Sequence, residues 1–370
     1  MATDPEPFTL PEDVSAQPVP IPPLERSRHV AHCNRCLAGL PASLTDIDSS
    51  RMVLAFYCLG VMDVYSALDM KLSASDREAW RGWIWAQQAG GEHGTGFRPG
   101  PFMTRVRQPG YTDASAPHLI MTYCALLSLA ILRDDFRRLD RAGLVRFVRA
   151  CQDTNGGFTT TPGADDADLR MCYCAFVVCS FLNDWSGMDV TRAVDYIRRC
   201  RTYEGGYGQS PGAEALGGTT YCAIAALYLL PQDTAPAGRL TRAEHRQTVR
   251  WLVHTQDGAT GGFAGRTNKV PDACYCFWQG AALAIMGEKE RIDAVALTRF
   301  FARCQHRFGG IAKAQDEAAD PYHTYLASAM IAIAQGAGTW ALGPLDPLVN
   351  ATEETAAWAR ERVPARPVLA

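Results

Sequence analysis

The sequence predicts an all-α protein arranged as a closed double ring of helices, on three observations. Gly-Gly pairs recur at 156–157, 205–206, 261–262 and 309–310, with spacings of 49, 56 and 48 residues. A period of this length marks an array of supersecondary units rather than unrelated domains. Every unit has the same internal order: a charged amphipathic run, a glycine loop, then a far more apolar run. Apolar residues make up 47% of the 370, enough to fill one large core. A helix charged on one face lies outside, whereas a helix apolar all round is buried on every side. Alternation of the two suits an inner ring sheathed by an outer one. An open helical solenoid used as a scaffold fits the same spacing.

In chain order, residues 1–25 carry seven prolines and little periodicity, and are expected to be extended or disordered. The stretch His32-Cys33-Asn34-Arg35-Cys36 reads as a helix with buried thiols; as half a zinc knuckle it lacks a second cluster at the necessary spacing. A looser copy of the glycine loop is Gly96-Phe97. The outer helices are expected at Arg141–Cys151, Val190–Arg201, Arg242–Thr255 and Arg291–Cys304. The inner ones are expected at Met171–Leu182, Thr220–Leu230, Cys274–Met286 and Thr324–Ala334. Residues just after each Gly-Gly loop then sit at N-terminal ends of inner helices, facing one mouth of the ring. The repeats occupy residues 26–335, and residues 336–370 form a C-terminal extension with one short helical pattern, Thr352–Arg362.

Composition narrows the function. A net charge of −3 gives no reason to expect nucleic acid as a partner. The acidic, Pro-rich start lacks the basic-then-apolar pattern of a signal peptide. The longest apolar run, Leu119–Leu132, is too short to span a bilayer. Thirteen cysteines in a long chain without a signal read as buried free thiols in a reducing compartment. A soluble cytoplasmic protein is expected.

Three residues carry the chemistry. Asp272 and Cys274 lie in Val270-Pro271-Asp272-Ala273-Cys274, and His323 in Asp320-Pro321-Tyr322-His323-Thr324. Each group follows a Gly-Gly loop and opens an apolar helix. Taken singly, Asp-x-Cys is an N-cap followed by a core thiol, and a His is a satisfied core residue. Together, on equivalent loops, one oxygen, one sulfur and one nitrogen ligand make a three-ligand zinc site with an open fourth position, the mark of catalytic rather than structural zinc.

The stretches Gly261–Lys269, Asp272–Trp278, Asp320–Thr324 and Leu182–Asp189 resemble the β subunits of protein prenyltransferases, most closely the type I protein geranylgeranyltransferase, and the likeness runs from about Arg26 to Gln335. It implies an α/α toroid that works as a heterodimer with a helical-repeat α subunit. It also implies zinc-dependent transfer of a geranylgeranyl group from geranylgeranyl diphosphate to the cysteine thiol of C-terminal CaaX motifs. Within the class, a farnesyltransferase β subunit is the nearest rival and a Rab-type geranylgeranyltransferase the next. A terpene cyclase shares ring-like repeats, but it needs an Asp-rich motif not seen here. A non-catalytic helical scaffold predicts no zinc.

By the same resemblance Asp272, Cys274 and His323 hold zinc. Arg266, Lys269 and Tyr275 hold the diphosphate; two cations and a phenol beside a helix N-terminus make an anion site, though alone they would be a solvated basic loop. Lys313 stands where farnesyltransferases place an Asp that helps bind magnesium. A fixed ammonium there implies turnover without Mg2+. Val53 replaces the Trp that closes the farnesyl pocket, leaving room for another isoprene unit. Gly217 and Gly218 border the donor site, and Tyr173, Cys222 and Trp278 match its walls. Arg170 matches a position near the peptide, unless it is only a capping salt bridge. Tyr57, His118, Met171 and Tyr322 match positions around the last peptide residue. One departure stands out: Leu216 occupies the place of a His that contacts the diphosphate. Losing such a bond costs roughly 1.5–3 kcal/mol unless something replaces it. Replacing Val53 with Trp is expected to move donor preference toward farnesyl diphosphate in a two-donor competition assay; an unchanged preference removes Val53 from the selectivity argument.

Overall fold

The structure, a computed structural model, describes residues 20–39, 47, 49–101, 115–231, 239–336 and 338–364. In chain order its helices are α1 (Arg26–Ala38), α2 (Arg51–Val64), α3 (Leu68–Lys71), α4 (Ala74–Trp85), α5 (Leu119–Ile131), α6 (Arg141–Cys151), α7 (Leu169–Leu182), α8 (Val190–Arg199), α9 (Gly217–Leu229), α10 (Arg242–His254), α11 (Ala273–Ile285), α12 (Ala294–Cys304), α13 (Pro321–Ala334) and α14 (Glu353–Arg362). Two short antiparallel hairpins accompany them: β1 (Gln88–Gly91) with β2 (Gly94–Phe97), and β3 (Leu345–Asp346) with β4 (Ala351–Thr352). The Pro-rich segment 1–25 lies outside the described residues except for its last six.

Composition decides which helices lie inside. In α7 every residue except Arg170 and Ser180 is buried, as expected of a helix with neighbours on all sides. In α8 only Ala193, Val194, Tyr196 and Ile197 are buried, while Arg192, Arg198 and Arg199 face out. The inner helices pack in sequence, α2, α5, α7, α9, α11 and α13, and α13 packs back on α2, closing the ring. The closed alternative is therefore the one adopted. The outer layer is α1, α4, α6, α8, α10 and α12.

Capping side chains fix where the inner helices start. Asp168, Asp272 and Asp320 accept backbone N–H bonds from the first turns of α7, α11 and α13, and His118 Nδ1 does so for α5. These caps explain why α7, α11 and α13 begin slightly before the expected apolar runs. Likewise Asp293 caps α12, which starts at Ala294 rather than Arg291. Ser50 and Leu216 are the exceptions, offering α2 and α9 no side-chain cap.

The glycine loops join neighbouring units. Gly261 and Gly309 adopt φ of +85° and +92°, a region that disfavours other residues. A side chain at Gly261 would drive into the Ala296 carbonyl of α12, and one at Gly309 into the Arg28 carbonyl of α1. The last loop thus docks on the first helix. The first unit departs from expectation. Around Gly96-Phe97 the chain forms the β1–β2 hairpin, and Gly94 rather than Gly96 makes the close backbone approach to α6 at positive φ.

The far end of the ring is closed by the C-terminal stretch. Helix α14 matches the predicted pattern at Thr352–Arg362. The hydroxyls of Thr352 and Thr355 each donate to Asp63 Oδ2 at 2.7 Å, near the C-terminal end of α2. Between β3 and β4 the chain runs inside the ring. There Tyr221 donates to the Pro347 carbonyl, Tyr123 to Val349 and Tyr325 to Asn350, at 2.8, 3.1 and 2.6 Å. All thirteen cysteines are unpaired. Among the described residues no helix is long and apolar enough to cross a membrane.

At the seam, Gln305 accepts from the Glu25 N–H and donates to the Pro23 carbonyl. The buried His29 accepts from the Gly310 N–H at its Nδ1, so its Nε2–H donates to Gln305 Oε1, both at 3.0 Å. Burial drives its pKa from 6.5 down to about 4, against the opposing bond to Gln305. Protonation at Nδ1 would also expel the Gly310 N–H. An unfolded chain binds this proton below pH 6.5 and the folded chain only near 4, so the stabilisation is present above 6.5 and lost as pH falls through that window. The amount is on the order of 3 kcal/mol. The stability advantage of the protein over His29→Gln is expected to shrink as pH falls from 6.5 to 4, read by denaturant unfolding; a constant advantage contradicts this role for His29.

Candidate metal centre and cavity

The mouth of the ring gathers the N-terminal ends of α11 and α13, which are neighbours. Asp272 precedes α11, Cys274 lies in its first turn and His323 in that of α13. One donor atom from each of the three lies within 4.8 Å of the other two. Asp272 and Cys274 are buried and His323 is partly so. His323 Nε2 is 3.4 Å from Asp272 Oδ1, and its Nδ1 is 2.6 Å from Asp320 Oδ2. Asp320 therefore holds the ring and leaves Nε2 for a metal, the carboxylate–histidine arrangement that orients metal ligands. The sequence offered Asp320 only as part of a motif; its spacing of three residues from His323 on one helical turn was the available signal.

The electrostatics point to a cation. Burial opposes charge on His323, yet hydrogen bonds to Asp272 and Asp320 outweigh it and push its pKa up to about 11. Burial likewise opposes charge on Asp272, but hydrogen bonds from His323 and Cys274 hold its carboxyl below the usual range. Burial raises the Cys274 thiol. The cluster thus demands positive charge, which a proton on His323 answers in part and a divalent ion would answer fully. One carboxylate, one thiol and one imidazole in buried proximity fit zinc by donor chemistry.

Beside the cluster opens a cavity of about 680 Å³. Of the residues the sequence proposed, Val53, Tyr57, His118, Arg170, Tyr173, Gly218, Cys222, Tyr275, Trp278 and Tyr322 line it. Tyr322 joins the two regions: its hydroxyl accepts the Trp278 indole N–H at 3.2 Å, and its ring meets Tyr57 edge-on at 5.3 Å and His323 at 4.8 Å. Met171 is buried in α7 and does not line the cavity; Met121 of α5 does. Gln209, Cys124, Cys174 and Asn350 also line it and were not singled out, because nothing in their local pattern separates wall from core. Arg170 pairs with its own cap, Nη2 to Asp168 Oδ2 at 2.5 Å, and Gln209 Nε2 donates to the same oxygen. The capping salt bridge weighed for Arg170 is present, at the cavity wall.

The basic residues sit on loops around the same mouth. The Gly217 N–H donates to the Gly265 carbonyl, tying the Arg266 loop to the start of α9. Gly217 itself packs against Gln279 rather than the cavity. Tyr275 packs beneath Gly265, and Arg266 pairs with Glu214 at 2.9 Å. The Ala273 N–H donates to the Lys313 carbonyl, setting the Lys313 loop beside the metal ligands. The side chains of Lys269 and Lys313 are exposed and make no ion pair among the described residues. Leu216 lines the cavity without a polar atom to offer.

Comparison with known proteins completes the picture. The sequence matches the family described as Prenyltransferase alpha-alpha toroid domain over residues 24–351. It is 30% identical over 340 residues to the geranylgeranyl transferase type-1 subunit beta of Arabidopsis thaliana, covering 87% of this chain and 88% of that protein. It is 33% identical over 313 residues to the protein of the same description from Dictyostelium discoideum, covering 79% and 86%. Its fold superposes on Candida albicans protein geranylgeranyltransferase-I complexed with GGPP with a TM-score of 0.82, covering 92% of this chain and 100% of that one at 24% identity. Asp320→Asn is expected to weaken zinc binding about 10–100-fold, because His323 loses its orienting carboxylate; chelator competition measures it, and an unchanged affinity would show that Asp320 does not orient the ligand.

Proposed function

Because the chain belongs to the prenyltransferase α/α-toroid family, we propose that it is the catalytic β subunit of a type I protein geranylgeranyltransferase. The observation that carries this is the three-donor cluster set at the mouth of a largely apolar cavity. The substrates are geranylgeranyl diphosphate and proteins ending in a CaaX motif, and the partner is an α subunit. Thirteen unpaired cysteines suit a reducing cytoplasm.

The reaction is an S-alkylation. The substrate thiol gives up its proton, its sulfur bonds to the first carbon of the prenyl chain, and the carbon–oxygen bond to diphosphate breaks. Asp272, Cys274 and His323 would hold zinc, which would supply the Lewis acidity that lets that thiol ionise at neutral pH. The chain's own residues do the rest. Asp320 fixes His323. Tyr173, Cys222, Trp278 and Val53 enclose the hydrocarbon and keep water away from the reacting carbon. Arg266, Lys269, Tyr275 and Lys313 surround the starts of α9 and α11, where charge on the leaving diphosphate collects; donors aimed at developing charge are among the largest contributors to catalysis. Tyr57, His118, Arg170 and Tyr322 border the side of the cavity proposed for the peptide.

Co-expression with an α subunit, followed by transfer assays with both prenyl donors, tests the proposal. Geranylgeranyl transfer to peptides ending in Leu, dependent on zinc and not raised by magnesium, is expected. Preferred farnesyl transfer to peptides ending in Met or Ser would make the chain a farnesyltransferase subunit. A clear rate rise with magnesium would remove Lys313 as the group that neutralises the leaving diphosphate.

A further inference from the structure

The repeated units make one buried side chain conspicuous. Seven residues after their N-cap positions, helices α5, α7, α9 and α13 carry Ala125, Ala175, Ala223 and Ala327, each 0% exposed. The equivalent place on α11 holds Gln279, also 0% exposed. Its Nε2 donates to the Ala264 carbonyl at 2.7 Å. Its Oε1 is buried and has no hydrogen-bond partner among the described residues. Alanine serves at this place in the neighbouring units, so packing does not call for an amide there, and burying one half-satisfied is costly.

What Gln279 holds is the loop that carries Arg266. Gly217, the first residue of α9, sits directly on the amide: a Cβ there would lie 2.9 Å from Gln279 Cδ. The Gly217 N–H in turn donates to the Gly265 carbonyl at 2.9 Å. Gly265 rests on the Tyr275 ring, with no room for a side chain between them. The carbonyls of Ala264 and Gly265 are thus tied to α11 and α9, and Arg266 follows at once. The Arg266 side chain pairs with Glu214, but the two are 41% and 57% exposed, and such surface pairs hold a geometry weakly. The backbone ties therefore decide where the guanidinium starts from. Fully buried, Gln279 touches no ligand itself and acts through the loop.

We infer that Gln279 is a positioning residue for the donor's diphosphate: its amide holds loop 264–266 against the start of α9, and so aims Arg266 and Tyr275 at the anion. This rests on the donor-site proposal above. Gln279→Met keeps the length of the side chain and removes the amide; Gln279→Ala, the residue of the neighbouring units, takes its place where Met does not assemble. Binding of two probes to the zinc-loaded heterodimer is measured by calorimetry: inorganic diphosphate, and geranylgeraniol, the uncharged alcohol of the donor. The unmodified heterodimer is expected to bind both. The variant is expected to bind diphosphate about tenfold more weakly, the effect of one lost hydrogen bond, and the alcohol within about twofold of the unmodified form. A residue that merely fills the core would move both probes together, so an equal loss of the two overturns this inference alone, as does unchanged diphosphate binding. Failure of the unmodified heterodimer to bind diphosphate while it binds the alcohol overturns the placing of the anion at Arg266 and Tyr275, and this inference with it.

Discussion

The closure of the ring is the constraint on which everything else depends. Inner helices present their N-terminal ends at one mouth only if the last unit docks on the first. That contact is specific: Gly309 lies against the Arg28 carbonyl where no side chain fits, and Gln305 and His29 use their polar atoms to bind residues 23–25 and the Gly310 N–H. With the seam shut, α13 is held between α11 and α2, and His323 comes within reach of Asp272 and Cys274. An open solenoid of the same units would keep each helix pair yet lack the closed cavity.

Within that frame, local chemistry divides the mouth by charge. Helix caps supply the acids: Asp272 and Asp320 hold N–H groups of their own helices, Asp272 Oδ1 also faces His323 Nε2 within the three-donor cluster, and Asp320 Oδ2 holds His323 Nδ1 from outside it. Basic side chains sit on the loops just outside, at the ends of helices whose dipoles already favour an anion. In the aromatic rung, Tyr123 and Tyr173 line the cavity, while the hydroxyls of Tyr123 and Tyr221 grip the chain that seals the far end and that of Tyr173 links the two.

Much of this was legible in the sequence, for physical reasons. Glycine pairs needing left-handed backbone, helices apolar all round and three ligand types on equivalent loops each leave a local signature. So did the outer helix Arg141–Cys151, whose predicted and observed bounds coincide. The first unit was harder to read: its glycines form a hairpin, and Gly94 rather than Gly96 makes the close approach. The floor was not readable, because Pro347 and Val349 owe their place to hydroxyls more than a hundred residues away in the chain. For the same reason Met121 and Met171 could not be told apart as wall and core from pattern alone.

The central claim is that Asp272, Cys274 and His323 hold one metal ion and leave a position for an incoming sulfur. Cobalt substitution tests it most directly, because thiolate coordination to cobalt produces a charge-transfer absorption. The cobalt-loaded heterodimer should show such a band from Cys274 alone, and the band should strengthen when a CaaX peptide is added with an inert donor analogue. A band that is absent, or that the peptide leaves unchanged, contradicts the account.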